Sequence, residues 1–261
     1  MLLIGEGTAD IQRMIIGRRL LESCKRALRA GTAMDSNLSV SVADGVARLT
    51  FQRPEKRNAI TAGMWSGISE ILQSLVGRDD VRCLAVQGSG GCFSAGADLA
   101  AVRDASGSPS SAYQALVERG LRSIREFRWP TLAVIEGPCI GGGCAIALAC
   151  DVRFAVPGAT FTIPAVRYGL ELEGAALVRL VELVGSGQAS RFLLSAMTIR
   201  GAEAAAMGLV DLCANNAFAA ADEFLDSVAA ADPATVAKTV AAIRMAARTP
   251  VGALEAVNPV S

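Results

Sequence analysis

The stretch from Ile135 to Ala155, IEGPCIGGGCAIALACDVRFA, constrains this chain more than any other. A buried strand, Thr131 to Ile135, breaks at Gly137-Pro138, passes through Gly141-Gly142-Gly143 and enters an apolar segment that reads as a buried helix. A segment that is apolar all round has to sit in the core of a domain. Glycines lack Cβ atoms and let the backbone approach a ligand closely, and the first N–H groups of a helix have no partner inside it. An oxygen that gains negative charge during a reaction can be held at such a place. The triplet alone is equally a tight strand-to-helix turn that needs small residues for packing.

The rest of the chain narrows the choice. Its 261 residues are 52% hydrophobic and 19% charged, enough to bury a sizeable core. Basic and acidic residues number 25 each, so no global field argues for nucleic acid or an anionic membrane surface. There is no histidine, which removes imidazole acid–base catalysis, Ser-His and Cys-His nucleophile pairs and most zinc sites. Proton chemistry is left to Asp, Glu, Lys, Tyr or Cys. The seven cysteines lie mostly in apolar runs without CxxC spacing and read as small buried hydrophobes in a reducing compartment, the cytoplasm. Cys144, with no imidazole to activate it, reads as packing. No segment reaches the roughly 18 uninterrupted apolar residues of a membrane span.

Residues 1–33 form a basic amphipathic extension, with Arg13, Arg18, Arg19, Lys25, Arg26 and Arg29 against Glu6, Asp10 and Glu22, and are expected to be additional or weakly ordered sequence. The folded domain is expected over 34–248, helical from about 187, with 249–261 as a short tail. Alternation at Leu38, Val40 and Val42, a turn at Asp44-Gly45 and a second run from Val46 to Phe51 predict a β-hairpin. Thr61 is placed to cap a helix running to about Val76. A buried strand, Cys83 to Gln87, leads to Ser94-Ala95-Gly96-Ala97-Asp98, expected to open a short helix, and a further helix is expected from Tyr113 to Glu126. Short strands at Val152–Val156 and Thr160–Ile163 follow, then helices at Ala175–Val184, Gln188–Leu194 and Ala202–Met207, a strand at Leu209–Asp211, and helices at Phe218–Ala230 and Pro233–Ala247. Strands alternating with helices early and helices late make this an α/β chain.

Two glycine-containing loops, 94–98 and 141–143, each follow a buried strand. If those strands are neighbours in one sheet, the N–H groups of Ala97 and Gly142 converge on one carbonyl oxygen, an arrangement that suits an enolate. With RPEKRNAI at 53–60, CFSAGADL at 92–99, the 135–155 stretch and RGAEAAAMGLVD at 200–211 in this order, the chain resembles the crotonase, or enoyl-CoA hydratase/isomerase, superfamily over about residues 38–245. The resemblance implies a ClpP-like spiral of ββα units with a helical C-terminal part, assembled as a trimer or hexamer, that binds acyl-CoA thioesters. It makes Ala97 and Gly142 the donors to the thioester carbonyl, puts Lys56 and Arg57 by the CoA phosphates, and sets Ala59, Ala95 and Asp98 around the pantetheine and adenine. It implies no metal and no cofactor besides the CoA of the substrate.

The departures from the family are specific. The two places where hydratases carry catalytic glutamates are Ala145 and Ala165. Glu173, before Gly174, falls where Δ3,Δ2-enoyl-CoA isomerases carry a glutamate, and a 1,3 proton shift needs one base only. Glu173 is therefore the candidate base and Glu171 the weaker one; the plain alternative is a solvated carboxylate at the first turn of a helix. The expected activity is double-bond isomerisation, with hydration of an unusual enoyl-CoA or non-catalytic acyl-CoA binding as alternatives. Asp151 reads as a structural cap or pair, and Tyr113 and Tyr168 as packing or surface residues, with contact to the acyl chain as the alternative. The run from Thr249 to Ser261 is shorter than the last helix and tail of relatives, so an altered lid or subunit contact is expected.

Overall fold

The structure, a computed structural model, describes residues 36–98, 111–170, 172 and 174–248. The N-terminal extension, the tail, Glu171 and Glu173 lie outside the described residues.

Strands β1 (Leu38–Ala43) and β2 (Val46–Phe51) form the expected hairpin. Asp44 and Gly45 close it with φ of 51° and 84°, the positive pair that matches the twist of the flanking strands. Helix α1 (Ala62–Leu75) starts where Thr61 accepts a hydrogen bond from the Met64 amide. Strand β3 (Cys83–Gly88), helix α2 (Ser111–Arg125) and strand β4 (Thr131–Ile135) follow. The chain then leaves this sheet: β5 (Pro138–Ile140) belongs to a second one, and helix α3 (Gly142–Ala149) returns it to β6 (Val152–Ala155). Strand β7 (Thr160–Thr162) again enters the second sheet before helix α4 (Gly174–Ser195). Strand β8 (Ile199–Arg200), helix α5 (Gly201–Ala206), strand β9 (Leu212–Cys213) and helices α6 (Ala217–Ala230) and α7 (Pro233–Arg248) complete the described chain.

The large sheet has the order β1-β2-β3-β4-β6-β9 and the small one β5-β7-β8. From β2 to β9 the large sheet is parallel, and the repeated step from large sheet to small sheet to helix is the expected spiral of ββα units. Buried side chains occupy both faces of β3 and β4, as a parallel sheet covered by helices requires.

One local expectation differs. The run Leu209–Asp211 does not pair as a strand; the amides of Leu209 and Val210 both donate to Ala204 O at 2.8 and 3.1 Å, closing the end of α5, and pairing with β6 starts at Leu212. Ser94 and Ala97 make parallel bridges to Cys139 and Ile60, with Gly96 at φ 93° between them, and the short helix expected to follow lies outside the described residues. The helices expected at Ala175–Val184 and Gln188–Leu194 are both present, as the two halves of α4 on either side of Gly185 at φ 75° and ψ 160°.

Helix α3 is buried from Gly143 to Ala149 and carries no polar side chain to anchor it. Arg153, 1% exposed, supplies the anchor from β6: its guanidinium donates to the Cys150 carbonyl at 3.0 Å and pairs with Asp211 at 2.6 Å. A cation beside the last carbonyls of a helix also complements its dipole. Asp151 is structural, accepting from the Thr131 amide and hydroxyl and from Arg244 of α7 at 2.6 to 2.9 Å.

Candidate active site

Strands β3 and β4 are hydrogen-bonded neighbours, so the loops that leave their carboxyl ends lie side by side. Loop 94–98 is stitched to loop 57–60, with the Ala95 amide donating to Arg57 O, Ile60 to Gly96 O and Asp98 to Ile60 O, at 2.7 to 2.9 Å. Asn58, fully buried with φ 52°, is the clamp of this region. Its side chain accepts from the Arg53 amide at 2.8 Å and donates to Ser89 O and Cys92 O at 2.9 and 2.6 Å. Ser94 adds a bond from its hydroxyl to Asn58 O at 2.8 Å.

Each glycine of the triplet has its own reason to be one. Gly141, the residue before α3, has φ 51° and ψ −109°, a conformation closed to other residues, and its amide donates to Thr162 O at 2.9 Å. A Cβ on Gly143 would lie 2.9 Å from the Ser94 carbonyl oxygen. A Cβ on Gly142 would meet only ordinary contacts, 3.5 Å from Trp65 Cζ2 and 3.6 Å from the Ala97 amide nitrogen. The amides of Ala97 and Gly142 therefore stand next to each other, and among the described residues neither is engaged by a protein acceptor.

These two amides open onto a cavity of about 860 Å³. Ala97, Gly142, Lys56, Arg57, Ala59, Ala95 and Asp98 all line it, so the structure brings together every described residue that the sequence singled out. Lys56 and Arg57 are exposed, a pair of cations at the edge of the cavity. Asp98 is held by Arg53, whose Nη1 donates to Oδ2 at 2.9 Å. Ala145, from α3, and Ala165, in the turn Ala165–Arg167, both line the cavity. Among the described residues, Asp98 is the one carboxylate on the wall. Leu170 and Leu172 also line the cavity.

Cys144 does not line this cavity; its thiol, 3% exposed as a residue, donates to Cys139 O at 2.9 Å. Burial pushes the thiols of Cys83 and Cys150 up to about 12 and raises those of Cys92 and Cys139. These are inert packing thiols. Among the described residues no group of three His, Cys, Asp or Glu side chains is arranged to hold a metal ion, and no helix is long and apolar enough to cross a membrane.

Two features were not read from the sequence. Asn58 sits inside RPEKRNAI, where a single polar residue between charged and apolar neighbours is the one available signal. Trp65 and Tyr113 line the cavity together, the indole Nε1 donating to the phenol oxygen at 3.0 Å, and nothing in the sequence joins residues 48 apart.

Comparison with known proteins agrees with this architecture. The family model described as enoyl-CoA hydratase/isomerase matches residues 41–256. The Mycobacterium tuberculosis protein named probable enoyl-CoA hydratase EchA14 is 33% identical over 208 residues, 80% of this chain and 81% of that one. A 4-chlorobenzoyl coenzyme A dehalogenase of Arthrobacter is 33% identical over 192 residues, 72% of this chain and 68% of the relative. Among solved structures, Pseudomonas aeruginosa DspI superimposes with a TM-score of 0.76 at 28% identity, covering 83% of this chain and 84% of its own. An enoyl-CoA hydratase/carnithine racemase from Magnetospirillum magneticum gives a TM-score of 0.76 at 26% identity, covering 84% of each chain.

Proposed function

This chain belongs to the enoyl-CoA hydratase/isomerase family, and from that premise we propose that it acts on acyl-CoA thioesters through an enolate, as an enoyl-CoA isomerase with Glu173 as the base. The observation that carries the reading is the pair of neighbouring amides, Ala97 and Gly142, opening onto the cavity without a protein acceptor among the described residues. A thioester oxygen between them gains two hydrogen bonds as negative charge develops on it. Lys56 and Arg57 at the edge of the cavity are the partners for the phosphates of coenzyme A. The chemistry needs no cofactor beyond that coenzyme A.

Hydration needs one group to deprotonate water and another to protonate the α-carbon, and Ala145 and Ala165 offer neither. A 1,3 shift needs less. One carboxylate takes the proton from C2 of a 3-enoyl thioester, the two amides hold the dienolate, and the same carboxylic acid returns the proton at C4, leaving the double bond conjugated with the thioester. Glu173 lies outside the described residues; supporting its role are Leu172, which lines the cavity immediately before it, and α4, which starts immediately after it. Assembly into a homotrimer or hexamer and a cytoplasmic location belong to the same proposal, the former supported by the exposed apolar side chains of Val166, Leu177, Val178 and Val181.

The test is to mix the protein with a 3-enoyl-CoA and follow the absorbance of the conjugated thioester. Turnover that is lost in Glu173→Gln is the expected result; no turnover, or equal turnover in the variant, refutes the mechanism. The two alanines also favour a second reading, an acyl-CoA-binding protein without catalysis. It predicts calorimetric binding of the same thioester with no change in its spectrum.

A further inference from the structure

Trp65 is the largest of the fully buried side chains among the described residues, 1% exposed, and it lines the cavity from the first turn of α1. Its seat is built by α2. Gly120 lies in the interior of that helix, where glycine is less stable than alanine. A Cβ there would stand 2.8 Å from Cε3 of the indole and 3.4 Å from Cζ3, so the ring takes the place that a side chain on α2 would occupy. Tyr113, Val117 and Gly120 follow at helical spacing on the buried face of α2, and the Tyr113 oxygen accepts from the indole Nε1 at 3.0 Å. The ring is held on two sides.

Its other edge reaches the donor pair. Cζ2 is 3.5 Å from the Cβ position of Gly142, and that position is 3.6 Å from the Ala97 nitrogen. An acyl group whose thioester oxygen lies between the two amides therefore meets the indole within its first few carbons. From there the ring extends to the interior of α2, and behind it α1 and α2 pack on each other through buried residues such as Ile68 and Leu121. A chain that pushed past the indole would have to part the two helices. Removing the ring would open a path to Gly120, which has no side chain to block it.

We propose that Trp65 is a specificity-determining residue: the indole, seated on Gly120, closes the inner end of the acyl pocket, so that the preferred substrates are thioesters of short acyl groups and long straight chains gain nothing there. The inference rests on the cavity being an acyl-CoA site and adds to it the class of acyl group.

The experiment is calorimetric titration of the full chain with butanoyl-CoA, hexanoyl-CoA and decanoyl-CoA. In the wild type, affinity is expected to rise by about fourfold per methylene up to hexanoyl-CoA and to stop there, leaving decanoyl-CoA no tighter. In Trp65→Leu the ratio of decanoyl to hexanoyl affinity rises at least about tenfold, the worth of two further buried methylenes. Gly120→Ala presses on the indole from behind and lowers the ratio of hexanoyl to butanoyl affinity about fivefold. Partial unfolding moves neither ratio, because both ligands see the same folded fraction. A wild-type affinity that keeps climbing to decanoyl-CoA, or a ratio unchanged in Trp65→Leu, overturns the proposal while leaving the acyl-CoA site intact. A ratio unchanged in Gly120→Ala overturns the part assigned to the seat. If none of the three thioesters binds, the reading of the cavity falls and this proposal falls with it.

Discussion

Gly142→Ala separates the donor pair from the fold that carries it. The new methyl would stand 3.5 Å from Trp65 Cζ2, 3.6 Å from the Ala97 nitrogen and 3.9 Å from the Gly96 carbonyl carbon, all ordinary contact distances. Gly142 has no positive φ and starts a helix, so alanine suits it at least as well as glycine. Folding stability should hold or rise by up to about 1 kcal/mol, roughly 2–4 °C in Tm for a domain of this size. Function should not hold. An oxygen accepting from Ala97 must come within about 3 Å of that nitrogen, and the methyl crowds this approach. Loss of one such donor costs about 3–4 kcal/mol in the transition state, so kcat/KM for the thioester should fall about 10²- to 10³-fold. Gly143→Ala is the contrast, because its Cβ would press on the Ser94 carbonyl oxygen at 2.9 Å and the backbone has to yield, at a cost of about 1–3 kcal/mol. Thermal melts and steady-state rates on both variants decide the matter. If Gly142→Ala turns over at the wild-type rate, or melts as low as Gly143→Ala, the assignment of these amides is wrong.

Asn58→Ala should destabilise the chain by about 3–5 kcal/mol in urea titration, since it removes three hydrogen bonds of a fully buried side chain and puts alanine at φ 52°. Asn58→Asp should recover little, because the two carbonyls of Ser89 and Cys92 need a donor. The thiol of Cys150 sets an alkaline limit. Its folded value, pushed from 9 to about 12, lies above its unfolded one, so its contribution is complete below pH 9 and is lost as the pH rises towards 12. By pH 11 the loss is about 3 kcal/mol. Cys150→Ala, compared with wild type at pH 8 and pH 11, should show a correspondingly shallower decline; parallel declines would exclude the thiol as the cause.

Elements with a local cause could be read before the structure. The hairpin follows from Asp44-Gly45, the start of α1 from Thr61, and β4 from five consecutive apolar or β-branched residues. The residues of loop 94–98 and of the triplet were legible as donors because the family resemblance fixed their partners. What failed depended on partners distant in the chain. Leu209 and Val210 are apolar because they are buried under α5, and burial alone does not distinguish a strand from a helix cap. Strands β5 and β8 are three and two residues long and exist only through β7 between them. Asp151 was correctly read as structural.

The donor pair and the proton-transfer groups of this cavity have different mutational exposure. Every residue except proline brings an amide N–H, so the two donors are properties of the backbone path and persist through most codon changes that leave the path open. A carboxylate at position 145 or 165 is a property of one side chain, and every alanine codon lies a single nucleotide from an aspartate or a glutamate codon. Substitution at these positions can therefore add or remove an acid or base while the amides of Ala97 and Gly142 stay in place. The wall around Ala145 and Ala165 is the part of the molecule where new reactions are cheapest to try.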